Sequence, residues 1–134
     1  MTIKRLTKAD HPVSFVAFSP TGHVVACFET DEEASGARRD LLEAGFENED
    51  ILLYTHDEER DEMSRLLDGI SGASGFGHEV CLMRLYKDLA ERGSGFLIVY
   101  APERAQCERV VEIVKKHNAK LAEKYGRLVI EDLL

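Results

Sequence analysis

The sequence predicts an α+β fold in which two β-α-β units share one sheet. A strand, a helix, a glycine and a second strand follow one another in residues 24–55. The same order returns in residues 95–134, where Asn118 takes the place of Gly45. Two such units in one small chain are typical of the ferredoxin-like sandwich, with a four-stranded sheet of order 4-1-3-2.

The first unit is marked by an unbroken apolar run at residues 24–28, which predicts a central strand with little exposed surface. Acidic residues 31–33 suit the positive N-terminal end of the helix that follows. The apolar side chains of that helix are spaced by three and four positions: Ala34, Ala37, Leu41 and Ala44. Gly45 can end the helix in a left-handed conformation, and residues 51–55 form the second strand.

The second unit repeats this pattern from a strand at residues 96–101. A helix beginning at Glu103 carries the apolar stripe Cys107, Val110, Val111 and Val114. Asn118 is expected to end this helix, and Val129 and Ile130 to anchor the last strand. The alternative is a helix that continues through Leu121, Ala122 and Tyr125.

The whole chain, residues 1–134, is predicted to be one domain, with a helical insert at residues 56–94 and an N-terminal extension at residues 1–22. The first insert helix spans residues 57–67 and should turn three side chains inward: Met63, Leu66 and Leu67. The second spans residues 79–92, with an apolar stripe of Leu82, Leu85, Tyr86 and Leu89, and ends at Gly93.

Composition excludes several classes of function. The formal net charge is -8, and residues 29–62 hold fourteen acids against three arginines, so nucleic acid is a poor partner. No apolar stretch is long enough to span a membrane, and a cytoplasmic location is the expectation. Three cysteines without a C-x-x-C motif support neither a disulfide framework nor a zinc ribbon, and no cofactor is implied.

An apolar segment at residues 13–18 precedes the first strand directly. In a sheet of order 4-1-3-2 the first strand already has two neighbours, so this segment must pack elsewhere. An open sheet edge tends to be covered, and we predict a homodimer with twofold symmetry. The alternative is that the segment folds back onto its own subunit.

The first unit resembles the general-stress-protein family of small bacterial ferredoxin-like domains. The resemblance covers about thirty residues and rests on the strand ending in Phe28, the alanine-rich helix and the closing Ala44-Gly45-Phe46. The second unit, with Tyr125-Gly126-Arg127, is similar to uncharacterised proteobacterial proteins. The resemblance implies a stress-linked bacterial protein. It supplies no catalytic residue.

A glycine-rich loop supplies the candidate binding residues: Gly72, Ser74, Gly75, Gly77 and His78. Backbone N–H groups before a helix start can hold a small anionic ligand such as a phosphate. The P-loop lysine is missing, so a flexible connector is the competing interpretation. His78 and Cys81 also have a metal-ligand spacing, but a polar helix start with a buried thiol is the preferred explanation.

Three functions follow, in order of preference. The first is a non-enzymatic, stress-associated protein that acts by self-association or by binding a protein partner. The second is a regulatory domain that binds a small anion or a nucleotide at the glycine-rich loop. The third is a cofactor-free enzyme. No catalytic residue is assigned, because most carboxylates are expected on exposed faces, where no burial shifts their pKa values.

Overall fold

The computed structural model describes residues 22–68, 78–125 and 130–134. In these ranges the chain forms five strands and four α-helices. The strands are β1 His23–Phe28, β2 Ile51–Tyr54, β3 Gly95–Tyr100, β4 Leu121–Tyr125 and β5 Ile130–Asp132. The helices are α1 Asp31–Glu43, α2 His56–Asp68, α3 His78–Glu91 and α4 Arg104–Lys116. The segment at residues 13–18 lies outside the described ranges.

The five strands form one antiparallel sheet of order β2-β3-β1-β4-β5, which confirms the α+β class. The predicted sheet of four strands in order 4-1-3-2 is wrong in its number of strands. The reason is that β5 pairs with β4, with Ile130 opposite Tyr125, and extends the sheet by one strand. The other four strands lie in the order β4-β1-β3-β2, so β1 is interior, with a neighbour on each side.

Ile130 begins the last strand, β5, as the sequence predicted, but a further strand, β4 at Leu121–Tyr125, precedes it where the sequence predicted none. Backbone pairing places Ala122 of β4 opposite Ala26 of β1. A helix through residues 121–125 is also wrong, because Ala122 and Tyr125 are fully buried in cores on opposite sides of the sheet. Side chains three positions apart point to opposite faces of a strand and to one face of a helix.

Two hydrophobic cores sandwich the sheet between two helical layers. Val25 and Cys27 of β1 belong to the core under α2 and α3, which we call the α2/α3 face. Their neighbours Val24, Ala26 and Phe28 belong to the core under α1 and α4, the α1/α4 face. Because successive strand residues alternate between faces, β1 is buried on both sides and no β1 side chain is more than 1% exposed.

The helices bury their apolar faces largely as predicted, with two corrections. α1 buries Ala34, Ala37 and Leu41, and α2 buries Met63 and Leu66, as expected. The buried stripe of α3 is instead Met83, Tyr86 and Ala90, and Leu85 is 39% exposed. The Tyr86 hydroxyl hydrogen-bonds the Tyr125 hydroxyl at 2.8 Å, and this contact fixes the rotation of α3 against the sheet.

In α4 the buried residues are Val110, Ile113 and Val114. The predicted stripe is wrong at its edge, because Cys107 and Val111 are only half-buried and line a surface groove.

Helix ends follow local chemistry that the sequence displays. The Thr30 hydroxyl caps α1 by accepting the N–H of Glu33 at 3.2 Å. Gly45, Gly93 and Asn118 follow α1, α3 and α4 with φ values of 107°, 100° and 63°. These are left-handed conformations that glycine and asparagine tolerate best, so the predicted helix stops are confirmed.

Gly95 at the start of β3 allows α1 to approach the sheet closely. A Cβ atom at Gly95 would lie 2.9 Å from the Cα atom of Asp31, a backbone atom that cannot move independently. At Gly36 a Cβ would meet the His117 ring at 3.0 Å, and this side chain, which is hydrogen-bonded to Asp40, can shift without moving the backbone. Gly36 is therefore a suitable control for a substitution at Gly95, because an added methyl meets a side chain at Gly36 and backbone at Gly95.

We expect Gly95→Ala to lower the free energy of unfolding by about 1–3 kcal/mol, because the added methyl forces α1 off the sheet. Gly36→Ala should change it by less, since alanine favours helix by roughly 1 kcal/mol and offsets the His117 contact. Urea denaturation of the two variants beside wild type measures both values. Equal stability of Gly95→Ala and wild type would contradict the close packing of α1.

Candidate functional site

The structure does not describe the binding site that the sequence predicted at the glycine-rich loop. Gly72, Ser74, Gly75 and Gly77 lie outside the described residues. His78 begins α3, and its side chain also lies outside that description. Anion binding at this loop therefore stays a prediction. Among the described residues, no group of three or more His, Cys, Asp or Glu side chains is placed to hold a metal ion.

A histidine–carboxylate pair joins the starts of α1 and α2 at one end of the sheet. Asp31 accepts from the His56 backbone N–H at 2.9 Å, and its other oxygen lies 2.6 Å from His56 Nδ1. The hydrogen bond to Asp31 raises the pKa of His56, and the charges of Asp31 and Asp57 add to the effect. α1 and α2 cover opposite faces of the sheet, so this pair connects the two helical layers.

β1 and β2 are both antiparallel to β3 and thus parallel to each other. His23 begins β1 and His56 follows β2, so the two histidines lie at opposite ends of the sheet and do not act together.

Glu59 of α2 is the most unusual polar group of the α2/α3 face. Its side chain is 1% exposed, and neither carboxyl oxygen has a hydrogen-bond partner among the described residues. Its pKa is raised to about 8, mainly by burial and to a smaller extent by the nearby acids Glu62 and Glu58. The prediction that carboxylates lie on exposed faces is wrong at this residue. Glu59 therefore keeps its proton near neutral pH.

The Glu59 carboxyl lies among weak acids that also hold their protons. Burial is the main cause of the raised pKa values of Cys27, Tyr54 and Tyr86, and Glu59, once it is ionised at higher pH, raises each of them further. For Cys27 the pKa rises to about 11. At neutral pH the cluster is thus a set of neutral, buried groups, and Glu59 lines neither of the two surface grooves described below.

The spacing of residues in the sequence indicates that Glu59 is buried. Glu59, Met63 and Leu66 are spaced by four and three positions, so the inward stripe of α2 begins at the glutamate. A charged residue at a core position of a helix is the pattern that marks such a group.

A groove of about 680 Å³ lies between α4 and the strands β4 and β5, and we call it the α4 groove. It is lined by Pro102, Arg104, Cys107, Glu108, Val111, Glu112, Lys124, Glu131 and Leu133. The Cys107 thiol donates to the Ala101 carbonyl oxygen at 3.1 Å. Lys124 Nζ donates to Cys107 Sγ at 3.0 Å and to the same carbonyl oxygen. Cys107, which begins the predicted apolar stripe of α4, is thus half-buried and in polar contact.

A second groove, of about 490 Å³, runs along the outer side of β2. Its lining is Arg38, Asn48, Glu49, Ile51, Leu52, Leu53, Thr55 and Glu58, and we call this surface the β2 edge. Among the described residues β2 pairs only with β3. Leu52 packs against the core of the α2/α3 face and Leu53 against that of the α1/α4 face, and both are half-buried.

No protein-family model, curated protein or solved structure matches the chain. Among the described residues, no helix has both the length and the apolar character needed to cross a membrane.

We expect the stability of wild type to fall as the pH rises from about 4.5 to about 8, because of Glu59. The unfolded chain releases this proton near its ordinary pKa of 4.5, whereas the folded chain holds it up to a pKa of about 8. Glu59→Gln removes the titrating carboxyl proton but keeps the size and shape of the side chain. The variant should therefore gain stability relative to wild type across this range, by about 4 kcal/mol at its upper end.

Urea denaturation at about pH 5 and about pH 9 measures this gain, and other titrating groups cancel in the difference. Asp61→Asn, on the exposed side of the same helix, is the control, and its free energy of unfolding should match that of wild type at both pH values. A Glu59→Gln curve that stays parallel to that of wild type would show that Glu59 is solvated.

Proposed function

We propose that the protein acts without catalysis, by self-association, and that two copies pair through their β2 edges about a twofold axis. The observation that carries the proposal is the β2 edge itself, where a hydrophobic strand ends the described sheet. An added strand continues the backbone hydrogen bonds of an edge and buries the side chains on both of its faces. Here those side chains are Leu52 and Leu53.

The opposite edge of the sheet is built differently. β5 has three residues, and Glu131 and Asp132 are exposed on it. Short length and charge are the devices by which proteins protect an edge strand from pairing. β2 reads Ile-Leu-Leu-Tyr and carries no charge within the strand. The contrast between the two edges favours β2 as the pairing surface.

Charge along the β2 edge fits a second copy of the chain. Arg38 lies at the start of β2, where its guanidinium donates to the Asn48 side chain, and Glu49 lies at this end too. Glu58 lies at the other end, where it accepts from the Thr55 N–H at 3.0 Å. A twofold axis through β2 places the start of one strand beside the end of the other, so Arg38 faces Glu58 of the partner subunit.

The order β4-β1-β3-β2, with α1 and α4 on one face, supports the further proposal that the fold is ferredoxin-like. In this chain the insert helices α2 and α3 cover the other face, so that face is closed within the subunit. Association is therefore proposed at an edge and not across the sheet. Kinship with the general-stress-protein family, a role in stress and a cytoplasmic location stay predictions.

The test is the dissociation constant of the dimer, measured by sedimentation velocity over a concentration series. Leu53→Lys should raise it by at least about tenfold, or about 1.4 kcal/mol, because a desolvated ammonium opposes strand pairing. Arg38→Glu should also raise it, because two acids then face each other across the axis. Both effects follow from the twofold arrangement.

Two matched variants act as controls. Leu133→Lys alters a half-buried leucine of the same core at the far side of the sheet, and Arg39→Glu alters the exposed neighbour of Arg38. Both should leave the dimer intact. A wild-type chain that stays monomeric at high concentration, as when residues 13–18 cover β2, contradicts the proposal. So does equal weakening by Leu133→Lys and Leu53→Lys.

A further inference from the structure

The three cysteines occupy three different environments. Cys27 is fully buried in β1, and burial raises the pKa of its thiol to about 11. Cys81 is exposed on α3. Cys107 is half-buried at the α4 groove, with the Lys124 amine 3.0 Å from its sulfur. Cys107 therefore combines access from solvent with a nitrogen nucleophile in contact.

The Cys107–Lys124 contact is held by the backbone of two separate elements. Cys107 lies in the first turn of α4, where its N–H donates to the Glu103 carbonyl oxygen at 3.0 Å. Lys124 lies on β4, in register with Val24 of β1. The Ala101 carbonyl oxygen accepts from both side chains and so fixes them at one point. The pair is preorganised and needs no chain movement to react.

Neither of the other thiols can reach Cys107. Cys27 points to the α2/α3 face, and Cys107 packs against the core of the α1/α4 face, so the sheet separates them. Cys81 lies on α3, which also covers the α2/α3 face. A disulfide within one chain would require the two sulfurs to meet at bonding distance. An oxidised Cys107 therefore has an amine beside it and no thiol.

We propose that Cys107 and Lys124 form an oxidant-responsive modification site whose substrate is a small hydroperoxide. The hydroperoxide transfers one oxygen to the Cys107 sulfur, giving a sulfenic acid and leaving water or an alcohol. The Lys124 amine, after losing its ammonium proton to solvent, attacks the sulfur. An S–N bond forms, the S–O bond breaks, and the oxygen leaves as water with a second proton from nitrogen.

The overall change removes two hydrogens, one from the thiol and one from the amine, and the hydroperoxide is reduced by the same two electrons. The product is a sulfenamide that joins α4 to β4 across the mouth of the α4 groove. Two equivalents of an external thiol reverse it by restoring Cys107 and Lys124 and forming a disulfide of their own. The site is thus a reversible switch, independent of pairing at the β2 edge.

The test is mass spectrometry of the intact chain and of its tryptic peptides after treatment with hydrogen peroxide. Wild type should become two hydrogens lighter and yield a peptide that links Cys107 to Lys124, with cleavage after Lys124 lost. Dithiothreitol should restore the original mass. Lys124→Arg keeps the positive charge but lacks the reactive amine, so it should stop at a sulfenic acid that dimedone traps.

Two further variants separate the linkage from general oxidation. Cys107→Ser should abolish the link, and Lys115→Arg, an exposed lysine on the same helix as Cys107, should leave it unchanged. The proposal is overturned if wild-type Cys107 gains oxygen without losing hydrogens. It is equally overturned if Cys81 is oxidised while Cys107 stays a thiol. Both outcomes are measured on the wild-type chain, so they do not depend on whether a variant folds.

Discussion

The structure depends on the burial of β1 between two strands and two helical layers. β1 pairs antiparallel with β3 along all six of its residues and with β4 along four. Its side chains alternate between the two cores, so each helical layer packs against the same central strand. Strands that lie two places from β1 become edges, and this puts β2 at one end of the described sheet and β5 at the other.

The same constraint determines which polar groups can act chemically. Groups that face β1 from the α2/α3 side, such as Glu59 and Tyr86, lose contact with solvent and hold their protons. Groups at the margin of the α1/α4 side, such as Cys107 and Lys124, contact a groove. The interior cluster therefore affects stability, while reactivity and association belong to the periphery of the sheet.

Local signals in the sequence were enough to predict much of the fold. The unbroken apolar run at residues 24–28 predicted the central strand, because only a strand covered on both faces lacks polar alternation. Gly45, Gly93 and Asn118 predicted the helix ends. The fourth strand escaped prediction because residues 121–125 fit both helical and strand spacing, and only pairing with β1 decides between them.

The polar sites were harder to predict, for two physical reasons. Glu59 shares its helical stripe with Met63 and Leu66, but its burial depends on how α2 and α3 pack against the sheet. The Cys107–Lys124 contact joins residues seventeen positions apart, and it exists only because α4 and β4 are brought together by the sheet. A single sequence displays the residue types but not the tertiary contact.

Amide hydrogen exchange of the native chain tests the central position of β1 most directly. The account predicts that the N–H groups of β1 exchange slowest, at the rate of global unfolding, because both edges of the strand are paired and both faces are buried. Those of β5 should exchange far faster. Exchange in β1 as fast as in β5 would contradict the account, since it would mean that the N–H groups of β1 are not held between two paired strands.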